Sequence, residues 1–442
     1  MLTCPVTVAV IDASTGAVGA AGQLAASLPA GAAVTYSAQQ IEAALGGTLP
    51  AGDRPRIRVA SNVPIEVQSF MSNPGGIITQ LADAMEMPGG ASSHIVHSYV
   101  PAANSPSGYT SYIRVINVGS TPTAIQATVI DGNTGLSGAT GQLTSALAAG
   151  AATTFSAQQI EAALGVALPA ADRPRVQISG TIGVNSNSAK LEVQSFMSNP
   201  GDAVTMVGGV QTGTSVSVRS YVPAANSASG YTSYIRVINN SAVATAVNVA
   251  VIDGSTGVTG TSRVLTANLP AAAVTFNAAQ VEAALGVSLP AADRPRILVS
   301  SPTSASLSVQ SFMSNPGNVI TQISGSQSGN PVDVRAYVPA ANEAVGYASY
   351  LRIINTATTA TPVYVSVIDG ATGVVGTSGQ LAASLPAGAA VTYTAQQVEA
   401  ALGVALPAGD RPRIRVTANG TIDVQSFMLN PGGIITETVD YQ

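Results

Sequence analysis

The tetrapeptide Asp53-Arg54-Pro55-Arg56 occurs four times in the chain, and its spacing decides how the fold is read. The copies begin at Asp53, Asp172, Asp293 and Asp410, which gives steps of 119, 121 and 117 residues. Val-Ile-Asp triplets keep a similar spacing and end at Asp12, Asp131, Asp253 and Asp369. A repeat of this length is the size of a whole domain. The sequence therefore predicts four tandem modules.

Gly/Ser-rich stretches mark the predicted boundaries of these modules, which span residues 1–90, 91–213, 214–329 and 330–442. The first module is the shortest. Alignment of Val10-Ile11-Asp12 with residues 129–131 places Met1 opposite Ser120. The first module therefore lacks a counterpart of residues 98–119, which are predicted to form two strands. We expect that it cannot close its sheets unaided.

Within each module, short β-branched runs are bounded by Gly, Pro, Asn and Asp, a pattern that predicts an antiparallel sandwich of about seven strands. One helix interrupts the strands. Ser37 and Gln40 have the spacing of a capping box, and Gly46 is placed to end the helix. The predicted fold class is all-β: a tandem array of four Ig-like antiparallel β-sandwich modules, each with one short capping helix.

Composition limits the classes of function. Charged residues make up 9% of the chain against a usual level of about 25%. The net charge is −5 and Lys190 is the single lysine, so no basic patch favours nucleic acid. No apolar run reaches the length of a membrane span. The first residues have neither a basic nor an apolar segment of a signal peptide, and a processed start stays open.

Catalytic and metal sites find little support in the residue pattern. His94 and His97 are the two histidines, and a strand places positions three apart on opposite faces, which argues against a shared metal. Asp12 begins an Asp-x-x-Thr-Gly turn and is expected to cap it. In Asp53-Arg54-Pro55-Arg56 we expect structural Asp–Arg pairing. We predict no enzyme, no catalytic residue, no cofactor and no metal.

Six residues are candidate assembly contacts: Cys4, Phe70, Phe196, Phe312, Phe427 and Tyr441. In a regular strand the four phenylalanines lie on the same face as polar neighbours. A bulge that returns each Phe to the core is the preferred interpretation, and contacts between modules are the alternative. Cys4 aligns with Thr123 at a strand start and is interpreted as a small buried residue, before nucleophile or lipid attachment.

Tyrosines recur in each complete module and could stack on sugars. They are Tyr99, Tyr109 and Tyr112, then Tyr221, Tyr231 and Tyr234, and then Tyr337, Tyr347 and Tyr350. Because tryptophan is absent, packing in the core and at the joints is the preferred interpretation, and a glycan is a weak candidate partner.

Three motifs taken together resemble a tandem β-sandwich module of large bacterial secreted and cell-surface proteins. They are Ser111-Tyr-Ile-Arg-Val-Ile-Asn117, the segment from Ala149 to Glu161, and Leu191-Glu-Val-Gln-Ser-Phe-Met-Ser-Asn-Pro-Gly201. The resemblance extends over all four modules. It implies an accessory or structural domain, export and a location at the cell surface, and it brings no catalytic residues.

These observations lead to a functional hypothesis. The chain is expected to be a non-enzymatic extracellular structural protein, a subunit of a non-covalent bacterial surface filament, sheath or layer. Its partner would be itself, as a homopolymer, with strand complementation of the first module. A truncated gene model or a segment before Met1 is the other explanation of the two missing strands. Isopeptide cross-links need a lysine in each module, and the chain has only Lys190. The alternative is a monomeric adhesin or glycan-binding stalk.

Overall fold

Short β-branched segments form antiparallel strands along the described chain. The computed structural model describes residues 3–49, 55–81, 92–181, 189–408 and 412–438. Within these ranges the strands make eight antiparallel sheets, and each of the four α-helices has eight residues. The predicted all-β class, with tandem β-sandwich modules and short helices, is confirmed.

The first module contains two small sheets and one helix. Its elements are β1 (Thr3–Ile11), β2 (Val18–Pro29), α1 (Ala38–Leu45), β3 (Arg56–Ser61), β4 (Ser69–Ser72) and β5 (Ile78–Leu81). The sheets have the orders β2-β1-β3 and β4-β5.

The second module is a complete sandwich of two four-stranded sheets. Its elements are β6 (Ser93–Val96), β7 (Thr110–Asn117), β8 (Thr123–Ile130), β9 (Ser137–Leu147), β10 (Ala152–Ser156), α2 (Ala157–Leu164), β11 (Arg175–Thr181), β12 (Leu191–Ser198) and β13 (Val204–Met206). The sheets have the orders β10-β7-β12-β13 and β6-β11-β8-β9. Strand β10, which directly precedes the helix, is absent from the seven strands expected from the sequence.

The third module repeats this plan with one more short strand. Its elements are β14 (Gln211–Gly213), β15 (Ser215–Val218), β16 (Thr232–Asn239), β17 (Thr245–Ile252), β18 (Arg263–Leu269), β19 (Ala273–Asn277), α3 (Ala278–Leu285), β20 (Arg296–Ser300), β21 (Leu307–Ser314) and β22 (Ile320–Gln322). Strand β14 pairs with β21, although the predicted boundary after Gly213 assigns these residues to the second module.

The fourth module has the same arrangement. Its elements are β23 (Gln327–Gly329), β24 (Val332–Val334), β25 (Ala348–Asn355), β26 (Thr361–Ile368), β27 (Val375–Leu385), β28 (Ala390–Thr394), α4 (Ala395–Leu402), β29 (Arg413–Ala418), β30 (Ile422–Asn430) and β31 (Ile434–Glu437). Strand β23 pairs with β30, so residues 327–329 also join the sheet of the module that follows the predicted boundary.

Each complete module has its own apolar core between the two sheets. In the second module, alternation along β7 points Ile113 and Val115 inward, where they meet Ile125 of β8 and Ile178 of β11. All four side chains are fully buried. Burial of such a side chain contributes about 1.5–3 kcal/mol. The other face of β7 carries Arg114 and is turned away from this core.

The helices begin and end as the local sequence predicts. In α1 the Ser37 hydroxyl accepts from the Gln40 amide while the Gln40 side chain accepts from the Ser37 amide, and the other three helices have the same capping box. Gly46 ends α1 in the left-handed conformation, with φ of 76°.

The four modules close into a ring through backbone hydrogen bonds at the outer turns. The amide of Ala152 donates to the carbonyl of Ala13 at 2.9 Å, which joins the first two modules. Equivalent bonds join the later modules: Ala273 to Gly132, Ala390 to Gly254, and Ala33 to Gly370. The last of these links the first module to the fourth. The repeat spacing in the sequence does not predict this closure.

A second set of contacts closes the ring at its centre. The side-chain oxygen of one asparagine in each module accepts from a backbone amide of a neighbouring module at 2.8–2.9 Å. The pairs are Asn73 with Val204, Asn199 with Ile320, Asn315 with Ile435, and Asn430 with Ile78. Beside them, one residue of each module enters a shared apolar cluster, formed by Ile77, Ala203, Val319 and Ile434. The ring therefore has a packed centre.

Candidate assembly site

The first module is open where the other three are closed. Its three-stranded sheet has no counterpart of β6, and its two-stranded sheet has no counterpart of β7 or β10 within the described residues. Residues 33–37, which align with β10, are not a strand. In the second module, β10 pairs with β7. An isolated strand has no partner for its backbone N–H and C=O groups, so residues 33–37 have no strand to pair with when the counterpart of β7 is missing.

Helix α1 shows how much apolar surface this opening exposes. In α2, Ala157 and Ile160 are fully buried, whereas α1 has no buried residue. Ala38 at the start of α1 is exposed, although it aligns with Ala157. We call the exposed surface formed by α1, the core-facing side of β3, and the segment from Val67 through β4 the open face. The core-facing side of β1 is not part of it, since Val6 and Val8 are 5% and 1% exposed.

Side chains of the strands show the same contrast. Ile57 of β3 is 38% exposed, and its counterpart Val176 is fully buried. Val67, before β4, is 46% exposed, while its counterparts Val309 and Val424 are 2% and 1% exposed. Apolar side chains that are exposed here but buried at the equivalent positions of complete modules are candidates for an interaction surface.

A glutamate on each helix defines the polar part of the site. In the second module, Glu161 is 7% exposed and its carboxylate accepts from the hydroxyl of Tyr99 at 3.3 Å and the amide of Ala102 at 2.7 Å. Burial, followed by the nearby Glu161 carboxylate, raises the pKa of Tyr99. Glu282 and Glu399 are buried and bound in the same way.

Glu42 is the counterpart of these glutamates in the first module. It is half-buried, and no residue of the described ranges donates a hydrogen bond to its carboxylate. Of the three donors to Glu161, Tyr99 and Ala102 have no counterpart in residues 1–442, whereas the amide of Leu168 aligns with that of Leu49. The helix therefore presents a carboxylate whose usual partners are a tyrosine hydroxyl and a backbone amide.

Tyrosine hydroxyls link neighbouring modules near the ring centre. Tyr109 donates to the carbonyl of Asn318 at 2.6 Å, and Tyr231 and Tyr347 donate in the same way to Gly433 and Gly76. The carbonyl of Asp202 occupies the fourth equivalent position. No tyrosine of the described ranges donates to it, because the first module has no counterpart of Tyr109.

Two buried arginines also link neighbouring modules. The guanidinium of Arg236 is 1% exposed and donates to the carbonyls of His97 at 3.0 Å and Arg173 at 2.6 Å in the preceding module. Arg352 forms the equivalent bonds in the fourth module. Desolvation, and then the neighbouring arginines, lower the pKa of Arg236 to about 10 and that of Arg352 to about 9.

Arg114 is the counterpart of these two arginines in the second module, and it is only half-buried. It faces the first module, which has no residue equivalent to His97. Because the first module is incomplete, the face of the second module that carries Arg114 is also partly exposed.

Phe312 and Phe427 lie between modules, and the predicted bulge is wrong. Strands β16 and β21 pair without a register shift through Tyr234 and Phe312. Phe312 packs against Val100 and Met197 of the preceding module. Regular alternation therefore keeps the phenylalanine on the outer face of its sheet, where the ring supplies a partner.

The four positions differ in how well they are covered. Phe312 and Phe427 are 7% and 6% exposed at complete junctions. Phe196, whose neighbour is the open module, is half-buried, and Phe70 is 37% exposed. Phe70 and Phe196 are thus the phenylalanines of this set that retain surface for a contact with another chain.

The other candidate residues take no part in the open face. Cys4 is 5% exposed within β1 and pairs with Leu28, as expected of a small buried residue. Tyr441 lies outside the described residues. His94 contacts the carbonyl of Leu191 at 2.7 Å, and no cluster of three metal-binding side chains occurs in the described part of the chain.

Two recurring motifs have structural roles in the turns. The Asp12 carboxylate accepts from the amides and hydroxyls of Ser14 and Thr15. These hydrogen bonds, chiefly from the Ser14 hydroxyl, lower the pKa of Asp12 to about 2. The predicted pairing within the Asp-Arg-Pro-Arg motif is not an ion pair at Asp172 and Arg173, where Arg173 donates to the carbonyls of Ala170 and Asp172. In the fourth copy, Arg413 pairs with Asp333, an aspartate outside the motif, at 2.8 Å.

None of the described helices is long and apolar enough to cross a membrane.

Comparisons with known proteins give no family. No protein-family model matches the chain, and no curated protein matches it. A solved chain from "The Triple Jelly Roll Fold and Turret Assembly in an Archaeal Virus" is 11% identical over 95% of this chain and 100% of that chain, with a TM-score of 0.18. A chain from "Structure of infectious bursal disease virus Gx strain" is 10% identical over 74% and 73%, with a TM-score of 0.11. Similarity at this level carries no argument about function.

Proposed function

We propose that the protein is a non-enzymatic extracellular structural protein, a subunit of a non-covalent bacterial surface filament, sheath or layer. The open face of the first module would be the surface through which subunits are joined. The observation that carries the proposal is the contrast within one ring between three covered sandwiches and one uncovered sandwich. An unpaired sheet edge beside apolar surface is a template for another chain.

The use of polar side chains supports a structural role. The recurring asparagines, tyrosines and buried arginines bind backbone carbonyls or amides of neighbouring modules. A depression of about 460 Å³ between the first two modules is lined by residues such as Leu143, Thr144 and Phe155, and no titratable side chain lines it. General acid–base chemistry needs such a group within reach of the substrate.

Charge and composition also favour association. With a net charge of −5 on 442 residues, copies of the chain repel one another weakly. The bacterial and extracellular parts of the proposal rest on the resemblance to modules of secreted and cell-surface proteins. A non-covalent assembly agrees with the single lysine, Lys190, which is exposed.

No observation on the described residues favours the alternative, a monomeric adhesin or glycan-binding stalk. A stalk needs modules placed end to end, whereas these four modules return to their starting point. Tyr99, Tyr221 and Tyr337 are fully buried, so none of these rings offers a face to a sugar.

Electron microscopy and sedimentation of the purified protein test the proposal. We expect regular filaments or sheets, and we expect the substitution Ile57→Glu to abolish them because it places a charge on the open face. Ile57 is already 38% exposed, so the variant should keep its fold. Leu136→Glu is the matched control, since Leu136 is 71% exposed on an outer turn. Single rings at every concentration, or assembly by the Ile57→Glu variant, would overturn the proposal.

A further inference from the structure

Ion pairs cross two of the junctions between modules at one equivalent position. At the junction between the third and fourth modules, the Arg219 guanidinium donates to the Asp423 carboxylate at 2.9 Å. At the junction between the fourth and first modules, Arg335 pairs with Glu66 at 2.7 Å. Arg335 aligns with Arg219, and Glu66 aligns with Asp423. A carboxylate that faces a cation of the preceding module is therefore a repeated feature of the ring.

The junction between the second and third modules has no carboxylate at this position. His97 aligns with Arg219, and Ser308 aligns with Asp423. The backbone positions also correspond, since the carbonyl of His97 accepts from Arg236 as that of Arg219 accepts from the equivalent arginine of the next module. Histidine and serine are both shorter than the side chains that they replace. This junction thus has an imidazole and a hydroxyl where its neighbour has an ion pair.

The groups that bind the serine are neutral. Ser308 is buried, and its hydroxyl forms hydrogen bonds with the Thr212 hydroxyl at 2.9 Å and with the Asn240 amide at 2.8 Å. At the next junction, a serine hydroxyl donates to the Asp423 carboxylate instead. The replacement of the acid by Ser308 is therefore not balanced by another acidic group at that position.

Positive charge nevertheless collects at this junction. Arg175 and Arg236 are buried, and after burial itself they are the groups that lower the pKa of His97. The acid of this cluster is Asp172, which opposes the lowering of the Arg173 pKa by desolvation. In the described part of the chain, no carboxylate pairs with Arg175 or Arg236.

Two buried nitrogens at the junction have no hydrogen-bond partner among the described residues. They are Nδ1 of His97 and Nε of Arg175. The Nε of Arg296, the counterpart of Arg175, is also unpaired, but the Asp423 carboxylate opposes the lowering of the Arg296 pKa by burial. A buried donor without an acceptor is costly, and a buried charge without a counter-charge is more so.

We infer that the junction between the second and third modules binds one small monovalent anion, of the size of chloride, beside His97 and Ser308. The anion would take the place of the carboxylate that the chain itself supplies at the other two junctions. A small singly charged ion matches the charge of that carboxylate. His97 is half-buried, which leaves the junction a route to solvent. The inference goes beyond the proposed function and does not depend on it.

Proton binding and anion binding are coupled at this site. An anion beside the imidazole stabilises its charged form, so the anion raises the pKa of His97 and the proton strengthens anion binding. The other charged groups that act on the imidazole are Arg175 of β11 and Arg236 of β16, and both also attract an anion. We therefore expect tighter binding at pH 5 than at pH 7.

Thermal unfolding and crystallography of the full chain test the inference. Unfolding is measured in sodium chloride and in sodium isethionate, whose anion is too bulky for the site, at equal ionic strength. We expect chloride to raise the unfolding midpoint by about 2 °C at pH 5, and by less at pH 7. Bromide soaked into crystals should give an anomalous peak between His97 and Ser308.

Three substitutions separate the site from general salt effects. Ser308→Asp supplies the carboxylate from the chain, so the midpoint should lose its chloride dependence and bromide should be absent from this junction. Asp423→Ser removes the acid of the next junction and should create a new bromide peak beside Arg219. Ser145→Asp is the matched control, because it adds the same charge at an exposed position of β9 and should leave the chloride dependence unchanged.

The outcomes separate this inference from the proposed function. The same chloride dependence in the Ser308→Asp variant and in the unaltered chain would overturn the inference, even if filaments form. Bromide peaks confined to the outer surface of the ring would identify adventitious ions only, and would also overturn it. Rings that bind the anion at this junction but never assemble would support the inference and contradict the proposed function.

Discussion

The third and first modules have closely similar repeat sequences, yet they differ in how much of that sequence is ordered into sheet. Residues 273–277 form β19 beside β16, while the aligned residues of the first module, 33–37, form no strand. Helices α3 and α1 are nevertheless the same length and have the same caps. A capping box acts within one turn, whereas a strand needs a partner from elsewhere in the chain. The helix caps therefore depend on the local sequence, whereas the strand before the helix depends on a tertiary contact.

The largest expected difference between the two modules concerns equivalent core positions. Ile297 is fully buried and aligns with Ile57, which is 38% exposed. Ile297→Ala should reduce the free energy of unfolding by about 2–5 kcal/mol because it leaves a cavity. Ile57→Ala should reduce it by less than about 1 kcal/mol. Denaturant unfolding of both variants measures the difference, and equal losses would contradict an open first module.

A glycine at a junction between modules tests the ring in the same way. Gly135 has φ of +72°, and a Cβ there would lie 1.3 Å from the carbonyl oxygen of Ala271. Gly135→Ala should cost about 2–4 kcal/mol, from the left-handed conformation and the forced displacement of the next module.

The control for this substitution is Gly165→Ala. Gly165 has a similar φ of +68°, but nothing lies within 4 Å of a Cβ at that position. It should cost only about 1–2 kcal/mol. Thermal unfolding of both variants measures the two losses. If they were equal, the close approach between the second and third modules would not exist in solution.

The glutamates on the helices provide a smaller contrast. Glu282→Gln should reduce the free energy of unfolding by about 1–3 kcal/mol, because the buried acceptor loses its charge and one oxygen. Glu42→Gln should leave stability unchanged in the absence of a partner, since no described residue donates to that carboxylate. Chemical denaturation compares the two, and a large effect at Glu42 would show that the open face is already occupied.

The junction between the second and third modules should respond to pH. Burial, and then Arg175 and Arg236, lower the pKa of His97 to about 4. The unfolded chain therefore binds this proton near pH 6.5 while the folded chain does not, so stability falls as pH decreases from about 6.5 toward 4. We expect a loss of about 1–2 kcal/mol between pH 7 and pH 5.

The variant His97→Asn isolates this contribution. Its free energy of unfolding should change between pH 7 and pH 5 only through other titratable groups. The difference in pH dependence between the unaltered chain and the variant is then the contribution of His97. Arg219 occupies the equivalent position at the next junction and binds the Asp423 carboxylate at 2.9 Å. An unchanged slope in the variant would contradict the burial of His97 against Arg236.

One strand of each complete module could not be predicted from its local sequence pattern. Strand β10, Ala152–Ser156, has the sequence Ala-Thr-Thr-Phe-Ser and ends in the helix cap. Its alternation is too brief to distinguish it from a loop, and only its pairing with β7 makes it a strand. The predicted bulge at Phe312 failed for a similar reason, because an apolar residue on an outer face looks misplaced until its neighbour is known.

The sequence by itself determined the number of modules, the all-β class and the helix caps. These features depend on repeat spacing, on β-branched alternation and on hydrogen bonds within one turn. Only the tertiary structure decided that the modules form a ring, that Phe312 and Phe427 lie between modules, and that no described residue donates to Glu42 as Tyr99 and Ala102 donate to Glu161. The ring and the phenylalanine contacts join residues more than a hundred positions apart, and the two glutamate contacts join residues about sixty positions apart, so a single sequence contains no local pattern for them.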